Sequence, residues 1–195
     1  MHKRIILPML MGTLVLGACG GKQAPQVDPA AEQARLEEEA RLQREAEERR
    51  RAEEEARRRA EEEAARRRAE EEAARAREIL AEMVFFDFDR SDIRADAAEV
   101  LTRKISVLRA NPDVTIRIEG HADERGSDEY NLALGMRRAQ AVKDFLVGYG
   151  ISENRIETFS FGEDRPLDRA STEEAWAKNR RAEFVITAGE VTKVR

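Results

Sequence analysis

Between residues 30 and 82 the chain has no glycine and no proline, and it is built mostly of Glu, Arg and Ala. Near-repeats run through it: Ala52-Glu-Glu-Glu-Ala-Arg-Arg-Arg59, Ala60-Glu-Glu-Glu-Ala-Ala-Arg-Arg-Arg68 and Ala69-Glu-Glu-Glu-Ala-Ala-Arg75. Glu53, Glu54 and Glu55 each precede an arginine by four residues, at Arg57, Arg58 and Arg59, and Glu62 and Glu63 precede Arg66 and Arg67 in the same way. On a helix that order sets opposite charges one turn apart in the favourable sense, roughly 0.2–0.5 kcal/mol per pair. All three residue types are strong helix formers. Leu36 and Leu42 are the only large apolar residues before Ile79, so the run has no stripe to bury. It lacks the apolar seam of a two-stranded coiled coil, although alanine at seam positions leaves a weak one as the alternative to a solvated single helix. The pattern predicts a helical spacer over 31–82, about 75 Å long at 1.5 Å per residue. Only 83–190 has globular composition, enough for one modest core.

Charge and the N-terminal end narrow the function. The 195 residues carry a formal net charge of -5, and 38% of them are charged. Both signs interleave, so no basic face argues for nucleic acid. Lys3 and Arg4 precede an apolar run over 5–16 that contains Pro8. A run of that length is short for a spanning helix, which needs ~20 residues, and fits a signal peptide over 1–18. It ends Leu16-Gly-Ala-Cys19, which resembles the bacterial lipoprotein cleavage box. The resemblance implies that Cys19 is acylated and becomes the first mature residue, several acyl chains giving a stable anchor. Gly20, where an Asp would retain such a protein at the inner membrane, implies by the same resemblance the periplasmic face of the outer membrane. Cys19 is the only cysteine, so no internal disulfide is available. Gly20, Gly21, Pro25 and Pro29 make 19–30 a flexible tether.

The remainder reads as α+β, in the order βαβαβ and then αβ, a mixed sheet covered by helices. A first strand is expected over 83–88, followed by a turn at Asp89-Arg90-Ser91-Asp92 that offers helix caps. A helix over 93–110 carries Ala97, Val100, Leu101, Ile105 and Leu108 at helical spacing and stops at Asn111-Pro112. Val114, Ile116 and Ile118 alternate with Thr115, Arg117 and Glu119, the period of a half-buried strand over 114–121. A second helix is expected from about Asn131 to Val147, ended by Gly148 and Gly150. A third strand follows over 156–161, a short helix over 172–180 and a last strand over 182–186, with a tail at 191–195.

Between the second strand and second helix lies a polar loop in which Gly120 and Gly126 point to special backbone geometry. Exposed side chains beside unpaired helix amides suit a charged small ligand. Val84-Phe-Phe-Asp-Phe-Asp89, Ile93-Arg94, Glu119-Gly-His-Ala-Asp-Glu-Arg-Gly126, Tyr130-Asn131, Gly135-Met-Arg-Arg-Ala139 and Lys178-Asn-Arg-Arg-Ala182 resemble the OmpA-like C-terminal domain. Within that family they are most similar to the peptidoglycan-associated lipoproteins, over about residues 83–187. The resemblance implies non-covalent binding of the meso-diaminopimelate stem peptide of peptidoglycan, and a TolB-like periplasmic propeller as partner within the Tol–Pal system of envelope integrity and cell division. The long Glu/Arg helix departs from a short-linkered member, so an OmpA-like lipoprotein scaffold outside that system, working through protein partners, is the second reading.

A diaminopimelate end carries an ammonium and a carboxylate on one carbon, which calls for an acid and a base close together, the base preferably an arginine fork. By resemblance, Asp123 takes the ammonium and Arg138 the carboxylate, with backbone amides near Phe88 and Asp89 adding to the latter; Arg125, Asn131 and Leu134 match further pocket positions. Asn131 also reads as a helix cap, and Arg180 and Arg181 as either pocket support or a solvated helix end. His121, Asp123, Glu124, Asp128 and Glu129 cluster in sequence, but His121 is the only histidine after residue 18. A zinc site of usual ligand type and a Ser-His dyad away from this loop are therefore not offered. No metal, cofactor or enzymatic activity is expected. Trp176 is expected to pack rather than to bind.

Overall fold

The computed structural model describes residues 28–194. The expected signal peptide over 1–18, the lipidated Cys19 and most of the 19–30 tether lie outside the described residues. The chain divides into two compact units, 1–56 and 57–195.

Helix α1 is Pro29–Ala81, 53 residues long, close to the 31–82 expected. Residues 28–72 are exposed throughout, Leu36 and Leu42 included. The charge pairing differs in detail from the pattern read off the sequence. Arg67 does reach back to Glu63 at 2.6 Å, as Arg51 does to Glu47 at 2.6 Å. Arg57, Arg58 and Arg66, however, reach forward to Glu61, Glu62 and Glu70 at 3.4, 3.6 and 3.4 Å, not back to Glu53, Glu54 and Glu62. Each of these arginines has a glutamate four residues away on both sides, and fully solvated pairs differ by only tenths of a kcal/mol.

The second unit carries β1 (Val84–Phe85), α2 (Ala95–Ala110), β2 (Thr115–His121), α3 (Asp128–Gly148), a 3-10 turn, β3 (Ile156–Gly162), α4 (Glu173–Asn179) and β4 (Arg181–Ala188). The order is the one expected. The four strands form one mixed sheet, β1-β4-β2-β3. Strands β2 and β3 are parallel, and β4 runs antiparallel to both β1 and β2. Strand β1 is far shorter than the expected 83–88, because the chain turns at Asp87, where Arg90 N bonds Asp87 O at 3.3 Å. Helix α2 begins at Ala95 rather than Ile93, with Arg94 at the N-cap and no side-chain cap; Arg94 instead pairs with Asp87 and Asp96. Helix α3 begins three residues early, at Asp128, with Ser127 accepting from the Tyr130 amide.

The core gathers Phe86, Leu101, Ile105, Leu108, Val114, Ile116, Ile118, Val142, Leu146 and Ile156, the positions whose period of two or 3.6 turns them toward the helix–sheet interface. It also reaches back past residue 83, where the globular part was expected to begin: Ala76 and Leu80 of α1 belong to the same cluster. The C-terminal tail is pinned as well. Val191 is buried, and the Asn111 side chain accepts from the Thr192 amide at 2.9 Å and donates to Lys193 O at 2.7 Å.

Buried Lys104 closes the C-terminal end of α1, its Nζ donating to Ile79 O at 2.7 Å and Leu80 O at 2.8 Å while lying 4.0 Å over the Phe184 ring. A cation on the last carbonyls of a helix satisfies orphan acceptors and the helix dipole together. Lys104→Ala is expected to cost about 2 kcal/mol or more by leaving both carbonyls without their donor, read as a lower urea midpoint. An unchanged midpoint would show that water replaces the ammonium there.

Candidate functional site

Three elements converge at one end of the sheet: the turn after β1, the loop after β2, and the first half of α3. They enclose a pocket of about 260 Å³ lined by Phe88, Asp89, Asp123, Arg125, Gly126, Tyr130, Asn131, Leu134 and Arg138. All seven residues singled out from the sequence are therefore on one lining. Tyr130 and Gly126 were not assigned a role there. Tyr130 stands beside Asn131 in a motif already noted, and its hydroxyl donates to the Asp89 carboxylate. Asp89 has a positive φ of 56°, a conformation that a short polar side chain tolerates better than most.

The elements reach each other because glycine lets them. A Cβ at Gly120 on β2 would lie 1.8 Å from the carbonyl oxygen of Gly135 on α3, and one at Gly135 would lie 2.3 Å from Ser160 Oγ on β3. Gly120 thus serves a close crossing, not the special backbone angle expected of it; Gly126, with φ 123°, does turn the loop. Asn131 is not a cap. It sits buried inside α3, and its amide group donates to Arg125 O and to the Glu163 carboxylate, tying the loop to the helix.

Asp123 is 4% exposed. Its Oδ1 accepts from the Arg125 amide (3.2 Å) and Arg125 Nε (3.1 Å), and its Oδ2 from Arg125 Nη2 (2.7 Å) and Arg180 Nη1 (3.2 Å). Burial pushes its carboxyl up, but the hydrogen bonds from Arg125 and Arg180 outweigh this and hold it below the usual carboxylate range. Arg180 is the pocket support left open between it and Arg181. It is buried, and it also donates to Phe86 O at 3.1 Å and Glu173 Oε1 at 2.8 Å. Arg181 pairs with Glu183 instead.

Arg138 is fully buried and donates to three backbone carbonyls: Arg90 at 2.9 Å, His121 at 2.7 Å and Asp87 at 3.1 Å. It pins the turn after β1 and the end of β2 to α3, and two of its five N–H groups remain without a partner among the described residues. Burial lowers it to about 10, with the Asp123 charge opposing, so it stays cationic at neutral pH. The Phe88 and Asp89 amides likewise have no acceptor among the described residues.

Arg125 lies between two rings, 3.9 Å from the centre of Phe88 and 4.1 Å from that of Trp176. Trp176 packs on it and donates to Glu124 at 3.1 Å. The acids Glu124, Asp128 and Glu129 do not gather with His121 around a common point. Among the described residues, the group with metal-capable spacing is Glu119, His121 and Glu183, whose ligand atoms lie within 4.8 Å of one another. Arg117 and Arg181 already bond the two carboxylates, so the cluster offers a cation no net negative charge. Neither ring nitrogen of buried His121 has a hydrogen-bond partner among the described residues.

The fold that carries this pocket recurs in known proteins. Residues 85–180 match the OmpA family. The crystal structure of the peptidoglycan-associated lipoprotein from Burkholderia pseudomallei is 38% identical, with a TM-score of 0.54 over 56% of this chain and 93% of that one. The chain belongs to the OmpA family. Within the family, the peptidoglycan-associated lipoproteins of Brucella melitensis biotype 1 and Haemophilus influenzae are 48% identical over 107 residues and 43% identical over 99 residues. The matches cover 55% and 51% of this chain, and 64% and 65% of those relatives' own length. The fold is also shared more widely: the C-terminal domain of Helicobacter pylori MotB, 23% identical, superposes with a TM-score of 0.52 over 55% of this chain and 84% of that one.

Proposed function

We propose that this chain is a non-catalytic anchor that holds the meso-diaminopimelate stem peptide of peptidoglycan and joins the wall to the outer membrane through a lipid on Cys19. One observation carries the reading: a buried anionic carboxylate, Asp123, and a buried guanidinium, Arg138, line the same small pocket. That pair complements an ammonium and a carboxylate borne on one carbon. The Phe88 and Asp89 amides, which have no acceptor among the described residues, supply further donors on the carboxylate side. Arg125, Asn131 and Leu134 complete the lining, and the relatives are named for their association with peptidoglycan. The lipoprotein cleavage box at Cys19 and the following Gly20 support an outer-membrane anchor; among the described residues no helix is long and apolar enough to cross a membrane. A TolB-like partner and a place in the Tol–Pal system follow from the family likeness. Binding is passive: Asp123 is engaged by two guanidiniums rather than poised as a general base. Many weak contacts summed over an array of anchored copies then give a firm hold.

The test is co-sedimentation of the detergent-solubilised full chain with purified sacculi. Arg138 cannot simply be removed, since it also holds three carbonyls, so Arg138→Lys and Asp123→Asn are the informative changes. Each is expected to weaken binding by about tenfold or more, the loss of one charge-assisted contact. If both variants are folded and pellet like the wild type, the pocket is wrongly assigned, and a scaffold working through protein partners becomes the better reading.

A further inference from the structure

The acid of the pocket is not free. A carboxylate offers about four lone-pair sites, and Asp123 already accepts four hydrogen bonds, three from Arg125 and one from Arg180. No site is left for an incoming ammonium. One of the two arginines must therefore give way, and they are not equally held. Arg180 has a side chain 8% exposed and is fixed by Phe86 O and Glu173 as well. Arg125 is 30% exposed, on a loop, and its guanidinium has a second acceptor beyond the pocket, Glu173 Oε2, 3.4 Å from Nη1. The Trp176 ring, which the Arg125 guanidinium also contacts, lies outside the pocket lining, as Glu173 does.

We propose that Arg125 is a resident cation that occupies the acidic half of the pocket, and that an amine ligand binds by exchanging with it. The proposal rests on the pocket reading above and adds its regulation. When the ammonium arrives, the Arg125 side chain leaves Asp123, keeps its contact with Glu173 and moves relative to Phe88 and Trp176. Exchange of one cation for another discriminates among ligands. A compact ammonium that can also place a carboxylate on Arg138 displaces the fork; a simple amine, without that second contact, does not. It also makes the acidic half of the pocket contribute little salt dependence to binding, because the Asp123–Arg125 pair, partly buried, is lost as the Asp123–ammonium pair forms.

The experiment is calorimetric titration of the full chain with free meso-diaminopimelate, followed in parallel by fluorescence. Trp176 is the only tryptophan in the chain, so its emission reports the position of Arg125 directly. Arg125→Gln is expected to tighten binding by about tenfold, the removal of one competing charge-assisted contact. It is also expected to make binding weaken with added salt and to abolish the ligand-induced change in Trp176 emission. Arg125→Lys keeps the charge but loses the fork, and is expected to fall between; it serves as the readout if the glutamine variant does not fold. Weaker binding in both variants, with wild-type emission unmoved by ligand, would mean that Arg125 is a direct ligand contact and would overturn the exchange while leaving the pocket reading intact. Absence of binding by the wild type would overturn both.

Discussion

Gly120→Ala is expected to destabilise the globular unit by about 3 kcal/mol or more, among the larger effects open to a single methyl group. The reason is geometric. The added Cβ meets a backbone oxygen, that of Gly135, at 1.8 Å, and a carbonyl cannot turn aside as a side chain can. Relief requires α3 to lift from β2. Because α3 carries Asn131, Leu134 and Arg138, and β2 leads into Asp123, the same displacement would open the pocket. Denaturant unfolding followed by Trp176 emission is the measurement, since far-ultraviolet circular dichroism is dominated by α1. Gly148→Ala is the matched control. No atom lies within 4 Å of its Cβ position, and it closes the same helix, so a gain of about 0.5–1 kcal/mol is expected. Equal effects at the two positions would show that the crossing is not tight.

Acidification is expected to weaken the fold in a window that belongs to His121. Burial, with Arg181 adding to it and Glu183 opposing, lowers this imidazole from 6.5 to about 4. The native state therefore favours the neutral ring, packed at 5.5 Å against Phe161. The unfolded chain takes up its proton near pH 6.5 and the native one only near pH 4, so unfolding binds protons between these values. The contribution is fully present above pH 6.5 and is lost as pH falls to 4, about 3 kcal/mol in all. The depressed carboxyl of Asp123 acts in the same direction at lower pH, below the ordinary Asp range. Buried Lys104, lowered by desolvation to about 7, takes up its native-state proton above this window. Unfolding free energies from pH 6.5 to 4.5 should therefore fall steadily in the wild type and stay nearly level over that range in His121→Phe. A parallel decline in the variant would assign the loss to other groups.

The order of elements was legible because each carried its own period. The alternation of Val114, Ile116 and Ile118 and the spacing of Leu101, Ile105 and Leu108 specify a strand and a helix without reference to anything distant. The α1 run was equally plain, since Glu, Arg and Ala leave few alternatives to a helix. Boundaries were less secure where a partner outside the segment decided them. Strand β1 ends at Phe85 and the chain turns at Asp87, where Arg138 takes the carbonyl, and no local pattern announces that. Ser127 capped α3 ahead of Asn131 because Asn131 was drawn inward to Glu163, a residue 32 positions away.

The seven pocket residues could be named in advance because family motifs mark them, not because their chemistry is visible in composition or spacing. What those residues do in the pocket depended on the packed structure. Arg138 proved to be a structural tie as well as a candidate ligand group, since its donors meet carbonyls from the turn after β1 and from the end of β2. Asp123 proved to be saturated by Arg125 and Arg180, one two residues along the chain and the other 57. Local sequence determines which backbone conformations and burial faces are cheap. Which side chains exhaust one another's hydrogen bonds, and so which group must move for a ligand to enter, is decided only when distant segments share the same few ångströms.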